Sequence, residues 1–159
     1  MQTLLALLWT LSLQAQAQGS SPAAHISKEE YEAGLQQQIA KGVVDQPLEA
    51  SEVIGGRASV AMLHRSKPEA SALIHDRVTE TYYILSGAGT IVTGGTLRDA
   101  KPTDLSRVNA GMSQTGTRQG GLSRKLKPGD IVIIPAGTPH SFSQLDGPIS
   151  YLVYRFEPK

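Results

Sequence analysis

Two histidines and a glutamate stand in segments that have the pattern of strands. In IHDRVTETYYILSG (74–87), His75 comes first, Glu80 follows after four residues, the chain runs on through apolar side chains, and Gly87 ends the stretch. Downstream, PGDIVIIPAGTPHSF (128–142) brings His140 to the mouth of another apolar run. On a strand, residues two apart share a face. Ser71, Leu73 and His75 therefore share one side, as do Glu80, Tyr82 and Ile84, and as do His140, Phe142 and Gln144. If these sides face one interior, His75, Glu80 and His140 converge. A buried carboxylate and two imidazoles without partners are each costly. A divalent cation removes that cost, because it prefers an ionised carboxylate and neutral imidazoles. Two histidines and one carboxylate with open positions form the facial set used by non-haem Fe(II), and Mn, Zn, Ni and Cu also accept such donors. The plainer alternative is a set of hydrogen-bonded core residues with no ion.

Other side chains lie near enough in sequence to take part. His64, on the preceding strand, is a candidate extra ligand. Gln144 is a candidate for orienting a ligand or water from behind. Tyr82, on the face of Glu80, is the candidate catalytic residue, able to donate a hydrogen bond to a bound oxygen; its alternative is packing with a buried hydroxyl. Arg155, in the last apolar run, can reach an anionic ligand. Arg77 falls on the face opposite His75, where a surface ion pair or a subunit contact is expected. His25 sits in a linker and is expected in solvent.

The elements that position these groups are short strands. RASVAMLHR, ASALIHD, ETYYILS, GTIVTG, DIVIIPA, HSFSQL and ISYLVYRF alternate or run apolar, and Gly, Pro, Asp and Ser separate them. Strands with tight turns and no intervening helices indicate a sandwich or barrel. One helix precedes them, in SKEEYEAGLQQQIAKG: Ser27 and Glu30 have the spacing of a capping box, Gly42 follows the last basic residue, and Tyr31, Leu35 and Ile39 make an apolar stripe. The helix is expected at residues 28–40, outside the barrel. The polar segment 94–121, rich in Gly, Ser and Thr, reads as a long loop with a short strand near 107–112.

The two site motifs resemble those of the cupin superfamily. In the first family pattern a His-x-His pair precedes a Glu and a Gly; His75, Glu80 and Gly87 fit it, and Leu73 stands where the first His would be. In the second, Gly129, Pro135, Gly137 and His140 fit, and Gln144 replaces the usual Asn. The resemblance covers about 57–157. It implies an all-β, single-domain cupin fold (a double-stranded β-helix or jelly-roll barrel), with a metal on His75, Glu80 and His140. It also implies pairing through sheets into a homodimer. Cupin relatives include dioxygenases, isomerases, decarboxylases and oxalate-degrading enzymes. The expected function is a metal-dependent enzyme of dioxygenase, isomerase or lyase type acting on a small oxygen-rich molecule. The competing expectation is a non-catalytic module that binds a small sugar or organic acid.

Composition narrows the classes further. The chain has 159 residues, a formal net charge of +1 and no cysteine. Thiolate metal sites and disulfides are excluded, and no basic stripe points to nucleic acid. The first residues, MQTLLALLWTLSLQAQAQ, carry an apolar run at 4–13 and an Ala15-Gln16-Ala17 cleavage pattern. They are expected to be a signal peptide, too short for a stable membrane anchor, so the mature chain would begin near Gln18 and be secreted or periplasmic. The expected organisation is a signal peptide at 1–17, linker and helix at 18–56, and the cupin domain at 57–159.

Overall fold

The computed structural model describes residues 22–159; the segment 1–17, expected to be a signal peptide, lies outside them. Helix α1 (Lys28–Lys41) begins where the capping box predicts. Ser27 Oγ accepts from the Glu30 amide, and the Glu30 carboxylate accepts from the Ser27 amide. Gly42, at φ 63°, closes it in the left-handed conformation. The buried face differs from the expected stripe. Ile39 is exposed, and the residue sealed against the sheet is Gln38, whose amide nitrogen donates to the carbonyls of Val44 and Met62.

Eleven strands follow: β1 (Asp45–Val53), β2 (Gly56–Arg65), β3 (Ala72–His75), β4 (Thr79–Ser86), β5 (Gly89–Thr93), β6 (Thr96–Asp104), β7 (Met112–Gln119), β8 (Leu122–Leu126), β9 (Ile131–Ile134), β10 (His140–Leu145) and β11 (Ile149–Pro158). They form two antiparallel sheets. One has the order β1-β2-β11-β4-β9 and the other β6-β7-β3-β10-β5-β8. This is the all-β jelly roll expected from the sequence, with one α-helix among the described residues, on its outside. The period-two pattern explains why. On β11, Ile149, Tyr151 and Val153 turn inward, and on β4 Tyr82 and Ile84 do the same. With Ile91, Ile134 and Phe142 they form the core between the sheets. At Gly87 the chain leaves β4 with φ 76°, and an added Cβ would lie 2.1 Å from the Pro148 carbonyl oxygen, so only glycine fits there.

The segment 94–121 departs from expectation. It is mostly strand: β6 and β7 form a hairpin, and residues 106–108, expected near a short strand, instead make a 3₁₀ turn (Ser106–Val108). The polar composition misleads because β6 is an edge strand with no fully buried residue. Its backbone pairs with β7 without any need for apolar side chains. Strand β1, Asp45–Val53, is likewise an edge with little apolar patterning, and it supplies Asp45 to the site.

Candidate metal centre

Three strands deliver the ligand-type residues to one place. His75 ends β3, Glu80 lies near the start of β4, and His140 opens β10. Their donor atoms all lie within 4.8 Å of one another. The Nε2 atoms of His75 and His140 each stand 3.3 Å from Glu80 Oε2. All three side chains are buried, with Glu80 only 1% exposed. Register makes the arrangement. His140 lies across from Leu73 on one side and Thr93 on the other, and His75 lies across from Ser113. Leu73, expected at the place of the family's first His, is thus the residue paired with His140.

The outer ring nitrogens define the tautomers. His140 Nδ1 is 2.9 Å from the Thr138 carbonyl oxygen, which only accepts, so the proton sits on Nδ1. His75 Nδ1 is 2.9 Å from Ser113 Oγ. That hydroxyl donates to the carbonyls of Ala110 and Gly111, so it accepts from the ring. With Nδ1 engaged, both rings turn Nε2 toward the same carboxylate oxygen, where an unprotonated Nε2 presents a lone pair and a protonated one donates. Three acceptors this close repel unless a proton or a cation lies among them.

Glu80 has further partners. Tyr82 Oη donates to Oε2 at 2.7 Å, and Arg155 Nε donates to Oε1 at 2.8 Å. The Arg155 guanidinium also grips Asp45 with both terminal nitrogens, at 2.6 and 3.3 Å, and donates to the Val108 carbonyl at 2.6 Å. Burial pushes the Glu80 carboxyl up, but hydrogen bonds from His140 and His75 and the Arg155 charge outweigh it and hold it well below the usual carboxylate range. Burial pushes His140 down, but the Glu80 carboxylate more than reverses this, leaving it above its ordinary value. Burial and the nearby Glu80 charge push the Tyr82 hydroxyl well up, so it stays protonated as a donor.

Not every expected participant is here. His64 is separate from this group. Its Nδ1 meets Ser150 Oγ at 2.8 Å, and it lines another cleft, of about 360 Å³, between α1 and the connection from β2 to β3. Its strand turns it there because His64 alternates with the inward Leu63. Gln144 is exposed and not behind the ligands. A bulge between Phe142 and Gln144 shifts the register of β10 and breaks the two-residue repeat that began at His140. Arg77 is exposed and donates to the Pro158 carbonyl at 2.6 Å, in place of a surface ion pair. Arg155 does meet anions, but they are Glu80 and Asp45 of its own chain. Sequence reading missed Asp45 and Ser113 as supporting residues. Arg155 shares its parity with Tyr151 and Val153, a signal that it faces inward; neither Asp45 nor Ser113 carries a comparable one.

No protein family model matches the chain, and no curated protein matches it in sequence. Solved structures do resemble it. They include a cupin superfamily protein from Desulfitobacterium hafniense DCB-2, 17% identical with a TM-score of 0.45 over 72% of this chain and 76% of that one. An oxalate oxidase in complex with the substrate analogue glycolate is 16% identical, with a TM-score of 0.46 over 72% of this chain and 50% of that one. The DMSP lyase DddQ from Ruegeria pomeroyi DSS-3 is 20% identical, with a TM-score of 0.41 over 66% and 40%. The chain thus spans half of the oxalate oxidase chain and two fifths of the lyase chain. These likenesses concern the fold and assign no activity here.

Proposed function

We propose that His75, Glu80 and His140 hold one divalent first-row metal ion (Fe, Mn, Zn, Ni or Cu) and that the chain is a metal-dependent enzyme acting on a small oxygen-rich molecule. The observation that carries this reading is the pair of Nε2 atoms converging on Glu80 Oε2 at 3.3 Å, with both Nδ1 atoms already engaged elsewhere. The bound ion would supply Lewis acidity or an open position for oxygen, in chemistry of dioxygenase, isomerase or lyase type. The chain's own residues do the rest. Arg155 occupies Oε1, and Oε2, which also accepts from Tyr82, is the oxygen that faces both imidazoles, favouring one-oxygen ligation by Glu80. Ser113 and the Thr138 carbonyl fix the two imidazoles in the ligating tautomer. Tyr82, protonated and 2.7 Å from Oε2, is the residue we assign to donate to a bound substrate oxygen.

A second reading, a metal-free module for a small sugar or organic acid, is favoured by the same arginine. It gives Glu80 a buried counter-charge without any ion. Metal content after exhaustive dialysis separates the two. Wild type should retain close to one ion per chain, and His75→Ala or His140→Ala should retain none while keeping a β-rich spectrum. Equal metal in wild type and His140→Ala would remove the three-ligand site. A wild type with no affinity for any of the five metals would leave the binding module.

Export and self-association complete the proposal. The apolar run and Ala15-Gln16-Ala17 support secretion or a periplasmic location after cleavage near Gln18. N-terminal sequencing of protein from the native host tests this. Ile131, Ile133 and Tyr83, exposed on the outer face and at the edge of the five-stranded sheet, support a homodimer, which sedimentation tests.

A further inference from the structure

The ligand side chains are shut away from solvent, at 3% exposure for His75 and 4% for His140. A substrate therefore needs an opening. Resting on the metal-centre reading above, we propose that residues 105–111, the tip of the β6–β7 hairpin, are a lid over the site, latched by Arg155 and Ser113, and that it opens along the cleft beside β1.

The tip is a self-contained unit. The hairpin ladder ends at the pair Asp104 and Met112, and within the tip the amides of Leu105 and Ala110 bond to the carbonyls of Gly111 and Leu105. Asn109 and Gly111 take left-handed conformations, at φ 57° and 62°, that reverse the chain. A compact loop tied to itself can move without unfolding. It is tied to the barrel by few side-chain bonds. Arg155 donates to the Val108 carbonyl at 2.6 Å, and the single Ser113 hydroxyl proton is shared between the carbonyls of Ala110 and Gly111 at 3.2 and 3.3 Å.

Each latch is held at its other end by a ligand. Arg155 grips Glu80, and Ser113 receives His75. What settles those ligands also settles the lid, so occupancy of the site and closure of the lid are linked, and the linkage acts equally in both directions. One arm of the hairpin that carries the lid, β6, is weakly anchored, while the other, β7, pairs with β3. β6 buries no residue fully, and a register shift between Arg98 and Lys101 interrupts its ladder. Elements with so little burial open at low free energy. The place of opening is marked by a cleft of about 460 Å³, whose walls are Val43, Asp45 and Pro47 on one side and Leu105, Arg107 and Val108 on the other. Asp45 and Val108 are both acceptors of Arg155, so the cleft ends on the latch.

The absence of cysteine makes a direct test available. Ala110 is 1% exposed in the lid, and Ala72 is 2% exposed in β3. Ala110→Cys and Ala72→Cys each install a single thiol in the full chain, to be labelled under native conditions without metal. The Ala110→Cys thiol should react at least about tenfold faster than that of Ala72→Cys. Adding Ser113→Ala should speed it by about a further tenfold and leave the Ala72→Cys thiol unchanged. Mn²⁺, which binds thiolates poorly, should slow the Ala110→Cys thiol. Equal rates at the two positions, with or without Ser113→Ala, would overturn the lid. If Ala110→Cys does not fold, acylation of His75 and His140 by diethyl pyrocarbonate, located by mass spectrometry, replaces it. Ser113→Ala should then accelerate both, and unchanged rates would overturn the lid. Failure of Mn²⁺ to bind the wild type counts against the metal reading, whereas the metal-free rates decide the lid. Binding of Mn²⁺ with no effect on the lid thiol would overturn the coupling.

Discussion

The barrel interior has two ends that differ in chemistry, and the same strands build both. Along β4 the inward side chains run Glu80, Tyr82, Ile84; along β11, its neighbour, they run Arg155, Val153, Tyr151, Ile149. β10 goes from His140 to Phe142. One end is therefore ionised and hydrogen-bonded, and the other is mainly apolar, with the Arg65–Glu69 ion pair at its margin. The tyrosines mark the boundary. The rings of Tyr82 and Tyr151 pack at 4.7 Å between centroids, Tyr82 turns its hydroxyl to Glu80, and Tyr151 turns its own to Arg65. The apolar end gains from burial itself, whereas the polar end gains only as far as each group finds its partner. The fold is thus expected to rest on the first and the function on the second.

Four experiments press on that difference. The largest effect belongs to the apolar end. Phe142→Ala, at a fully buried position against Tyr151, should cost about 3–5 kcal/mol in chemical denaturation and lower stability whatever metal is present. Removing a charge at the polar end comes next. Arg155→Ala leaves Glu80 and Asp45 facing each other without their shared cation, a loss of about 3–5 kcal/mol for a broken buried pair, reduced here because Asp45 retains some exposure. Adding Glu80→Gln should recover part of that loss, whereas no polar change should rescue Phe142→Ala. Recovery in neither case would mean that the two ends do not differ in the way described.

The third experiment uses pH. In the metal-free protein the Glu80 carboxylate raises His140 above its ordinary value. A raised folded value contributes stability that is fully present below the unfolded pKa and is lost as pH rises through the folded one. Metal binding runs the other way, because the ion needs His140 neutral. Affinity should be full above the raised value and fall by about tenfold per unit below it while one proton competes. Calorimetric titrations at several pH values should therefore give opposite slopes for metal affinity and for metal-free stability over the histidine window. Parallel slopes would show that His140 is not the ligand. The smallest effect is expected at His64→Ala, which removes one hydrogen bond to Ser150, about 1 kcal/mol, and should leave metal content as in wild type.

Much of this molecule is local in its causes, and those parts were legible in the chain. The capping box at Ser27 and Glu30 acts over three residues. The alternation of Glu80, Tyr82 and Ile84 follows from the pleat of a single strand, and the turn before His140 from its prolines and glycine. That is why the strands, the helix and the inward direction of His75, Glu80 and His140 could be read before any fold was known. The remaining features depend on register between distant segments, which no local period encodes. Arg155 could be read as inward, but that its anions are Glu80 and Asp45 follows from the pairing of β11 with β4 and from the approach of β1. Ser113 reaches His75 only because β7 lies beside β3. Gln144 left the site because one extra residue in β10 shifted its pairing with β5. The hairpin of β6 and β7 carried no apolar signal, since backbone pairing holds an edge strand whose side chains face water. The sequence by itself determined which side chains could serve as ligands and which way their strands turn them. The tertiary structure decided what stands behind each candidate ligand, because those partners meet only when separate strands pair in one register.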